Sequence, residues 1–136
     1  MIQIIFGETG SGKTKQLLER ANASTKGANG SVVFINDDDS YMFDLNLSIR
    51  FINVSEFALS DPKMFYGFLC GIAASDHDLE TVYVDGFAKL IRHKPETLKA
   101  FFAQLESFSD AHHIKLVISL SGAPNTIPNF LKKYIA

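Results

Sequence analysis

Five short apolar runs recur along the chain, and stretches with helical spacing separate them. Each run is rich in β-branched or aromatic residues and is short enough to be a strand. Most of the runs are nearly continuous rather than alternating, as in strands that are buried on both faces of a parallel sheet. The five predicted strands cover residues 2–6, 32–35, 49–54, 81–84 and 114–120.

The stretches between these runs show the periodicity of amphipathic helices. Asp61-Pro62 is typical of an N-cap followed by proline in the first helical turn. Pro95 and Pro128 open two further periodic stretches, and the spacing after Pro128 predicts a last helix. The inward-facing positions of the four predicted helices are Leu17, Leu18 and Ala21; Phe65, Phe68, Leu69 and Ile72; Leu98, Phe101, Phe102, Leu105 and Phe108; and Phe130, Leu131 and Tyr134.

The alternation of strands and helices predicts an α/β fold. The expected architecture is a three-layer α/β/α sandwich with a mostly parallel five-stranded sheet. One segment, residues 37–48, leaves three alternatives open: a short helix, a loop or part of an antiparallel edge. It is barely long enough for a crossover between parallel strands. A chain of 136 residues has the size of one domain, so residues 1–136 are predicted to form a single domain.

Composition and charge exclude several classes of protein. Thirteen Lys and Arg residues against 15 Asp and Glu residues give a net charge of −2, which excludes a generic basic nucleic-acid binder and a polybasic membrane-surface protein. The single cysteine, Cys70, excludes an intramolecular disulfide, and no Cys/His spacing suits a zinc site. No apolar run reaches the roughly 18–20 residues that cross a bilayer, and the N-terminus lacks a secretory signal. A soluble cytoplasmic protein without a membrane or nucleic-acid partner is therefore expected.

One motif carries most of the chemical information. Residues 7–14 fit the pattern G-x-x-x-x-G-K-[ST] at every fixed position, between a predicted strand and a helical stripe. Its glycines let successive backbone N–H groups turn inward around an anion, and the following helix N-terminus favours phosphate. Lys13 is expected to reach the β- and γ-phosphates, and the Thr14 hydroxyl to bind Mg²⁺. The predicted nucleotide-binding residues are Gly7, Glu8, Thr9, Gly10, Ser11, Gly12, Lys13 and Thr14.

A second element of the same site follows the predicted strand 81–84. A phosphate loop requires an acid at the carboxyl end of a nearby strand to hold Mg²⁺, and Asp85 stands at this position. Ligands of open parallel sheets lie at the carboxyl ends of strands, which places Asp85 on the same edge as Lys13. The alternative is that Asp85 and Gly86 only form a turn. Thr14 and Asp85 are the predicted metal ligands, with ATP as the ligand or substrate.

On these two motifs the chain resembles the P-loop NTPases over essentially its whole length. The residues Gly7–Thr14 and the compact layout are most similar to the RecA-like (ASCE) branch, which includes the secretion and twitching-motility (PilT-type) ATPases. The resemblance implies a P-loop NTPase fold in which an extra strand separates the phosphate-loop strand from the strand of the metal-binding Asp. It also implies a polar γ-phosphate sensor at the tip of that strand, a position that Ser119 or Ser121 would occupy.

The chain departs from this pattern at the residue that polarises the attacking water. Many such ATPases carry Glu directly after the metal-binding Asp, where this chain has Gly86. In RecA-like relatives the glutamate can stand at the end of a neighbouring strand, and Glu56 is the main candidate. Asp37, Asp38 and Asp39 are the alternatives, although a solvated acidic turn also explains them. Glu8 lies within the loop and is a further acid that could approach the nucleotide.

None of the arginines is an obvious arginine finger, which is a side chain that stabilises the charge of the transferred phosphate group. The simpler interpretation is a surface charge in each case, for Arg20, Arg50 and Arg92. If one of them acts, it acts across a subunit interface, which implies a homo-oligomer or another protein partner. Arg92 is the preferred candidate, because it lies in the short basic run 89–94 after the predicted strand of Asp85.

The sequence is compatible with three functions. The first is a Mg²⁺-dependent ATPase, slow or activated by a partner. The second is a small-molecule or nucleoside kinase, for which residues 37–48 are the one candidate lid. The third is a nucleotide-sensing regulator or subunit that does not hydrolyse, which Gly86 after Asp85 favours. A GTPase is disfavoured because no N-K-x-D motif follows a strand, so adenine is the expected base.

Overall fold

A computed structural model describes residues 1–135 and shows helices on both sides of one sheet. The strands are β1 (Ile2–Gly7), β2 (Ser31–Asn36), β3 (Ile49–Asn53), β4 (Leu79–Val84) and β5 (Lys115–Ser121), and the α-helices are α1 (Lys13–Ser24), α2 (Pro62–Ser75), α3 (Phe87–Ile91) and α4 (Lys99–His112). Short 3-10 helices cover Met42–Asp44, Val54–Glu56, Pro95–Thr97, Pro124–Thr126 and Asn129–Tyr134.

The sheet has the strand order β1-β5-β4-β2-β3, and every strand pair is parallel. The prediction of a three-layer α/β/α fold with a mostly parallel five-stranded sheet is therefore confirmed. Strand β5 lies between β1 and β4, so an extra strand separates the strand of the phosphate loop from the strand that precedes Asp85. This order is the one that the resemblance to RecA-like P-loop NTPases implies.

Two apolar layers pack against the sheet, one on each face. The larger layer joins the sheet to α2, α3, α4 and the C-terminal 3-10 helix, and it is rich in phenylalanine. The smaller layer joins the other face to α1 and to the segment before β3 through Leu17, Leu18 and Leu45. Burial of both faces explains why the strands are continuous apolar runs in the sequence.

The predicted start of α2 is confirmed in detail. Asp61 is the N-cap residue, and its side chain accepts a 2.8 Å hydrogen bond from the backbone N–H of Met64. Pro62 occupies the first turn, where the missing N–H of proline leaves no intrahelical bond unmade. The negative charge of Asp61 also stabilises the helix, because it lies at the positive end of the helix dipole.

One predicted element differs in the structure, and one that was left open is resolved. The last helix, expected as an α-helix near Pro128, is a 3-10 helix over Asn129–Tyr134 with Leu131 and Tyr134 buried as predicted. It is short because the chain must straighten at once for Ile135 to form a parallel bridge with Ile4 of β1. Residues 37–48, for which three alternatives were open, contain one 3-10 turn and connect the parallel strands β2 and β3.

None of the helices in residues 1–135 combines the length and the apolar character that a membrane-spanning segment needs.

Candidate functional site

The loop between β1 and α1 folds back on itself at the N-terminus of the helix. Gly10 and Gly12 have φ angles of 83° and 90°, in the left-handed region that favours glycine. Gly12 is the N-cap residue of α1 and has no side chain, so no side-chain cap occupies the first amide groups of the helix. These free N–H groups and the helix dipole make the loop a concave binding site for an anion.

Lys13 supplies a positive charge inside this loop. Its side chain is largely buried, with the residue 9% exposed, and its Nζ donates a 2.8 Å hydrogen bond to the backbone carbonyl of Glu8. The same carbonyl accepts the backbone N–H of Ser11 at 3.0 Å. No carboxylate pairs with Lys13 among residues 1–135. A largely buried ammonium with only a carbonyl partner is poised to bind an anionic ligand.

Thr14, Asp85 and Ser119 form a hydrogen-bonded cluster beside the loop. The Thr14 hydroxyl donates to Asp85 Oδ2 at 2.9 Å, and the Ser119 hydroxyl donates to Asp85 Oδ1 at 2.7 Å. The backbone N–H of Gly86 donates to Ser119 Oγ at 2.8 Å. Asp85 is 7% exposed and Ser119 is 1% exposed, so the cluster is largely protected from solvent. The structure thus brings together three side chains that the sequence analysis selected separately.

The strand order explains why these three residues meet. Ser119 lies on β5, between the strand that leads into the loop and the strand that leads into Asp85. It pairs with Ile5 of β1, and the preceding Ile118 pairs with Val84. Of the two serines proposed as sensor, Ser119 contacts Asp85, whereas Ser121 is exposed at the end of the strand.

A cleft of about 530 Å³ lies next to the loop. We call it the loop cleft; its lining includes Gly10, Gly12 and Lys13 of the loop and Tyr41 and Asp44 of the segment before β3. The cleft also has an apolar part at Leu18, and the Tyr41 side chain is partly exposed. It therefore combines an anion-binding end with an aromatic and acidic end.

Hydrogen bonds to α1 hold the segment of Tyr41 and Asp44 in place. Asn22 Nδ2 donates to the backbone carbonyl of Asp44 at 2.9 Å, and the backbone N–H of Asn46 donates to Asn22 Oδ1 at 2.8 Å. The sequence of residues 37–48 predicts a short helix, a loop or an antiparallel edge and a candidate lid, and nothing in it singles out Tyr41 or Asp44. Their contribution depends on these contacts with α1, for which the linear sequence carries no signal.

The acids proposed to activate the attacking water differ in exposure and in how close their strands lie to the strand of Asp85. Glu56 is exposed on the 3-10 turn after β3, which is an edge strand separated from β4 by β2. Asp37 directly follows β2, the strand next to β4, and its side chain is only 22% exposed. Asp38 and Asp39 are exposed beside it, and the Glu8 side chain is exposed on the loop. Strand order thus brings Asp37 nearer to the strand of Asp85 than Glu56.

Asp37 forms an ion pair with α3. Lys89 Nζ lies 3.1 Å from Asp37 Oδ2. The hydrogen bond and the opposite charge raise the pKa of the Lys89 ammonium above its ordinary value, because deprotonation would lose both. Beside this pair, the backbone N–H of Ser40 donates to Asp38 and lowers the pKa of that carboxyl. The Asp37 carboxylate is therefore already engaged by a cation in this structure.

The three arginines lie apart from the loop cleft. Arg20 is exposed on α1, and Arg50 is exposed on the edge strand β3. Arg92 follows α3 and lines a second cleft together with Lys89. None of these arginines lines the loop cleft in the described part of the chain.

Comparison with known proteins identifies the fold but not a family. No protein-family model matches the chain. No curated protein matches it. The crystal structure of the flagellar accessory protein FlaH from Methanocaldococcus jannaschii is similar, with a TM-score of 0.51 and 15% sequence identity. The match covers 94% of this chain and 63% of the FlaH chain, so this chain spans less than two thirds of FlaH. At this identity the likeness concerns the fold alone, and it agrees with the predicted α/β P-loop architecture.

Proposed function

We propose that this chain binds Mg²⁺-ATP on residues 7–14 and hydrolyses it, slowly or with the help of a partner. The observation that carries the proposal is the 2.9 Å hydrogen bond between Thr14 and Asp85. It joins the residue that ends the phosphate-loop motif to the acid that follows β4, although the two are 71 positions apart in sequence. This contact between distant segments supports a nucleotide site built from both of them.

Each part of the triphosphate has a suitable partner. The N–H groups of the loop and the Lys13 ammonium bind the β- and γ-phosphates. Ser119 is our proposed γ-phosphate sensor, and its hydrogen bond to Asp85 supports this role. In the loop cleft, Tyr41 offers an aromatic face to the base, and Asp44 offers a carboxylate to the ribose hydroxyls.

The Thr14–Asp85 pair is suited to Mg²⁺. A hydroxyl and a carboxylate are the oxygen ligands that this ion prefers, and Asp85 brings a negative charge into a largely buried place. When bound, Mg²⁺ neutralises charge on the phosphates. The residues present therefore fit the metal, with Thr14 and Asp85 as its protein ligands.

The strand order supports assignment to the RecA-like branch of P-loop NTPases. The insertion of β5 between β1 and β4 is the feature of that branch that the structure reproduces. The closer relationship to PilT-type ATPases rests on the motif of residues 7–14. The cytoplasm is the compartment proposed for the protein, because ATP is available there.

Replacing Asp85 by asparagine tests the metal site. Asparagine keeps the shape and an acceptor oxygen but removes a negative charge that repels the phosphates, so we expect ATP affinity without Mg²⁺ to be equal or higher. The gain in affinity that Mg²⁺ produces should fall about 10–100-fold. Isothermal titration calorimetry with and without Mg²⁺ measures both quantities. Asp110→Asn, at an exposed position on α4, is the matched control. A full magnesium effect in Asp85→Asn would remove Asp85 from the metal site.

Two neutralising variants identify the acid that activates water. Because β2 adjoins β4 and β3 does not, we expect Asp37→Asn to lower kcat by about 10²–10⁴-fold. Glu56→Gln should leave kcat unchanged, and both variants should bind ATP normally. A phosphate-release assay measures turnover. A loss confined to Glu56→Gln would return the role to Glu56.

A nucleotide-sensing function without hydrolysis is the second candidate. Gly86 replaces the usual glutamate, and Asp37 is already paired with Lys89. Tight Mg²⁺-ATP binding by the wild-type protein with no phosphate release would favour this function over the ATPase. A phosphotransfer assay over a panel of nucleosides separates both from a kinase.

A further inference from the structure

A second cleft, of about 650 Å³, opens at the carboxyl ends of β2 and β3. We call it the basic cleft; it is lined by Asp37, by residues 54, 55 and 57–60 after β3, and by residues 89, 90 and 92 at the end of α3. It shares no lining residue with the loop cleft. Its apolar residues Val54 and Leu90 belong to the layer of α2–α4, whereas Leu18 of the loop cleft belongs to the layer of α1. The two clefts therefore lie on opposite faces of the sheet.

The charges of the basic cleft favour an anion. Lys89 and Arg92 are its cations and Asp37 is its one carboxylate, so the lining carries one net positive charge. Asp37 is paired with Lys89 at 3.1 Å. Arg92 forms no ion pair within residues 1–135, and its guanidinium is free to bind a phosphate or carboxylate group with two parallel hydrogen bonds.

The same lining also has apolar and aromatic residues. Phe57 is 50% exposed, and Leu59 follows it in the lining. The Phe57 ring contacts Phe68 of α2 with its centroid 6.0 Å away, so one side is supported while the rest is open. A supported, half-exposed ring offers a stacking surface to a planar group.

The backbone at Arg92 has a conformation that arginine rarely adopts. Its φ and ψ angles are 54° and 35°, and its N–H donates to the carbonyl of Ala88 to end α3. Glycine is the usual residue at such a left-handed helix end, because a Cβ atom is strained there. The chain nevertheless keeps a long cationic side chain at the point that lines the cleft.

We propose that the basic cleft is a second ligand site, which binds a small aromatic anion. The anionic group contacts Arg92, with Lys89 nearby, and the ring packs on Phe57. The volume is within the range of roughly 300–1,000 Å³ of sites for small molecules. The cleft lies at the same edge of the sheet as Asp85, where ligands of parallel α/β folds bind. This site goes beyond the proposed nucleotide site; Asp37 is common to both proposals, but binding of the aromatic anion rests on Arg92 and Phe57.

Arg92→Gly is the decisive variant, because it removes the guanidinium and at the same time relieves the backbone strain. His113→Gly is its matched control, since His113 also ends a helix in the left-handed region, with a φ angle of 55°, and is exposed away from the cleft. Both variants are expected to melt at a temperature no lower than that of the wild-type protein. Loss of binding in Arg92→Gly alone therefore reports on the side chain and not on folding.

Phenyl phosphate is the probe, and its binding is measured by calorimetry and ligand-observed NMR. We expect it to bind wild-type protein and Lys13→Ala equally, and to bind Arg92→Gly about tenfold or more weakly. His113→Gly should bind as the wild type does, and uncharged benzyl alcohol should bind far more weakly. The proposal is overturned if phenyl phosphate does not bind at millimolar concentration, if Arg92→Gly binds it normally, or if Lys13→Ala abolishes the binding. Failure of ATP to bind would contradict the nucleotide site and leave this result unaffected.

Discussion

Lys13→Ala is expected to abolish the binding of nucleoside triphosphates. Lys13 is the one charged side chain within the loop that is largely buried, and its Nζ lies 2.8 Å from the Glu8 carbonyl oxygen. Where water is largely excluded, the attraction between this ammonium and a phosphate is stronger than at the surface. Loss of about 3 kcal/mol of charge-assisted hydrogen bonding lowers affinity about 100-fold or more.

The same substitution is expected not to destabilise the ligand-free protein. Lys13 has no carboxylate partner among residues 1–135, so its burial costs free energy that alanine does not. We therefore expect an equal or higher melting temperature together with lost binding, a combination that general unfolding cannot produce. Calorimetry with ATP and with inorganic triphosphate measures affinity, and Lys26→Ala, exposed beyond the end of α1, controls for the lost charge. Normal ATP binding by Lys13→Ala would refute the proposed site.

Phe87→Ala is expected to cause the largest loss of stability. Phe87 is fully buried directly after Asp85 and Gly86. Its ring centroid lies 5.1 Å from that of Phe65, 5.6 Å from that of Phe101 and 5.8 Å from that of Phe102. Removing a ring that joins three helices leaves a cavity and costs about 3–5 kcal/mol of the free energy of unfolding. That is a large part of the roughly 5–15 kcal/mol that stabilises a typical domain.

Urea unfolding followed by circular dichroism measures this loss. Phe43→Ala is the matched control, because Phe43 is 89% exposed and its removal should change the free energy of unfolding by about 0.5 kcal/mol or less. A saturating nucleotide should recover part of the stability of Phe87→Ala, by about 2.7 kcal/mol at a concentration 100 times the Kd. A cost in Phe87→Ala as small as that in Phe43→Ala would mean that the aromatic cluster does not hold α3 on the sheet.

The proposed phosphate loop can be predicted from the sequence because its residues are contiguous. The chemistry of residues 7–14 needs only glycines, a lysine and a threonine at fixed spacing, and the left-handed Gly10 and Gly12 agree with that reading. Asp85 could be identified for a similar reason, since it directly follows an apolar strand. In both cases a local pattern carries the structural information.

The helix ends show where local patterns fail. The start of α2 was predicted, because Asp61 and Pro62 are a local capping signal. Helix α3 was not predicted, because it spans only Phe87–Ile91 and ends at Arg92 rather than at glycine. The C-terminal segment has a helical apolar pattern, but the bridge between Ile135 and Ile4 limits it to a 3-10 helix. A contact between distant residues therefore overrides local propensity.

Contiguous residues thus account for the α/β class and the parallel sheet, and they suffice to propose the phosphate loop and the acid at position 85, since strand and loop conformations depend mainly on near neighbours along the chain. The choice of Ser119 over Ser121 and the position of Asp37 next to β4 depend on the pairing of strands that are far apart in sequence. The two clefts arise in the same way, since Tyr41 and Lys13 line one and Arg92 and Phe57 line the other although each pair is far apart in sequence. Strand order and packing across a sheet are set by the burial of the whole apolar surface at once, and no short window of sequence contains that information.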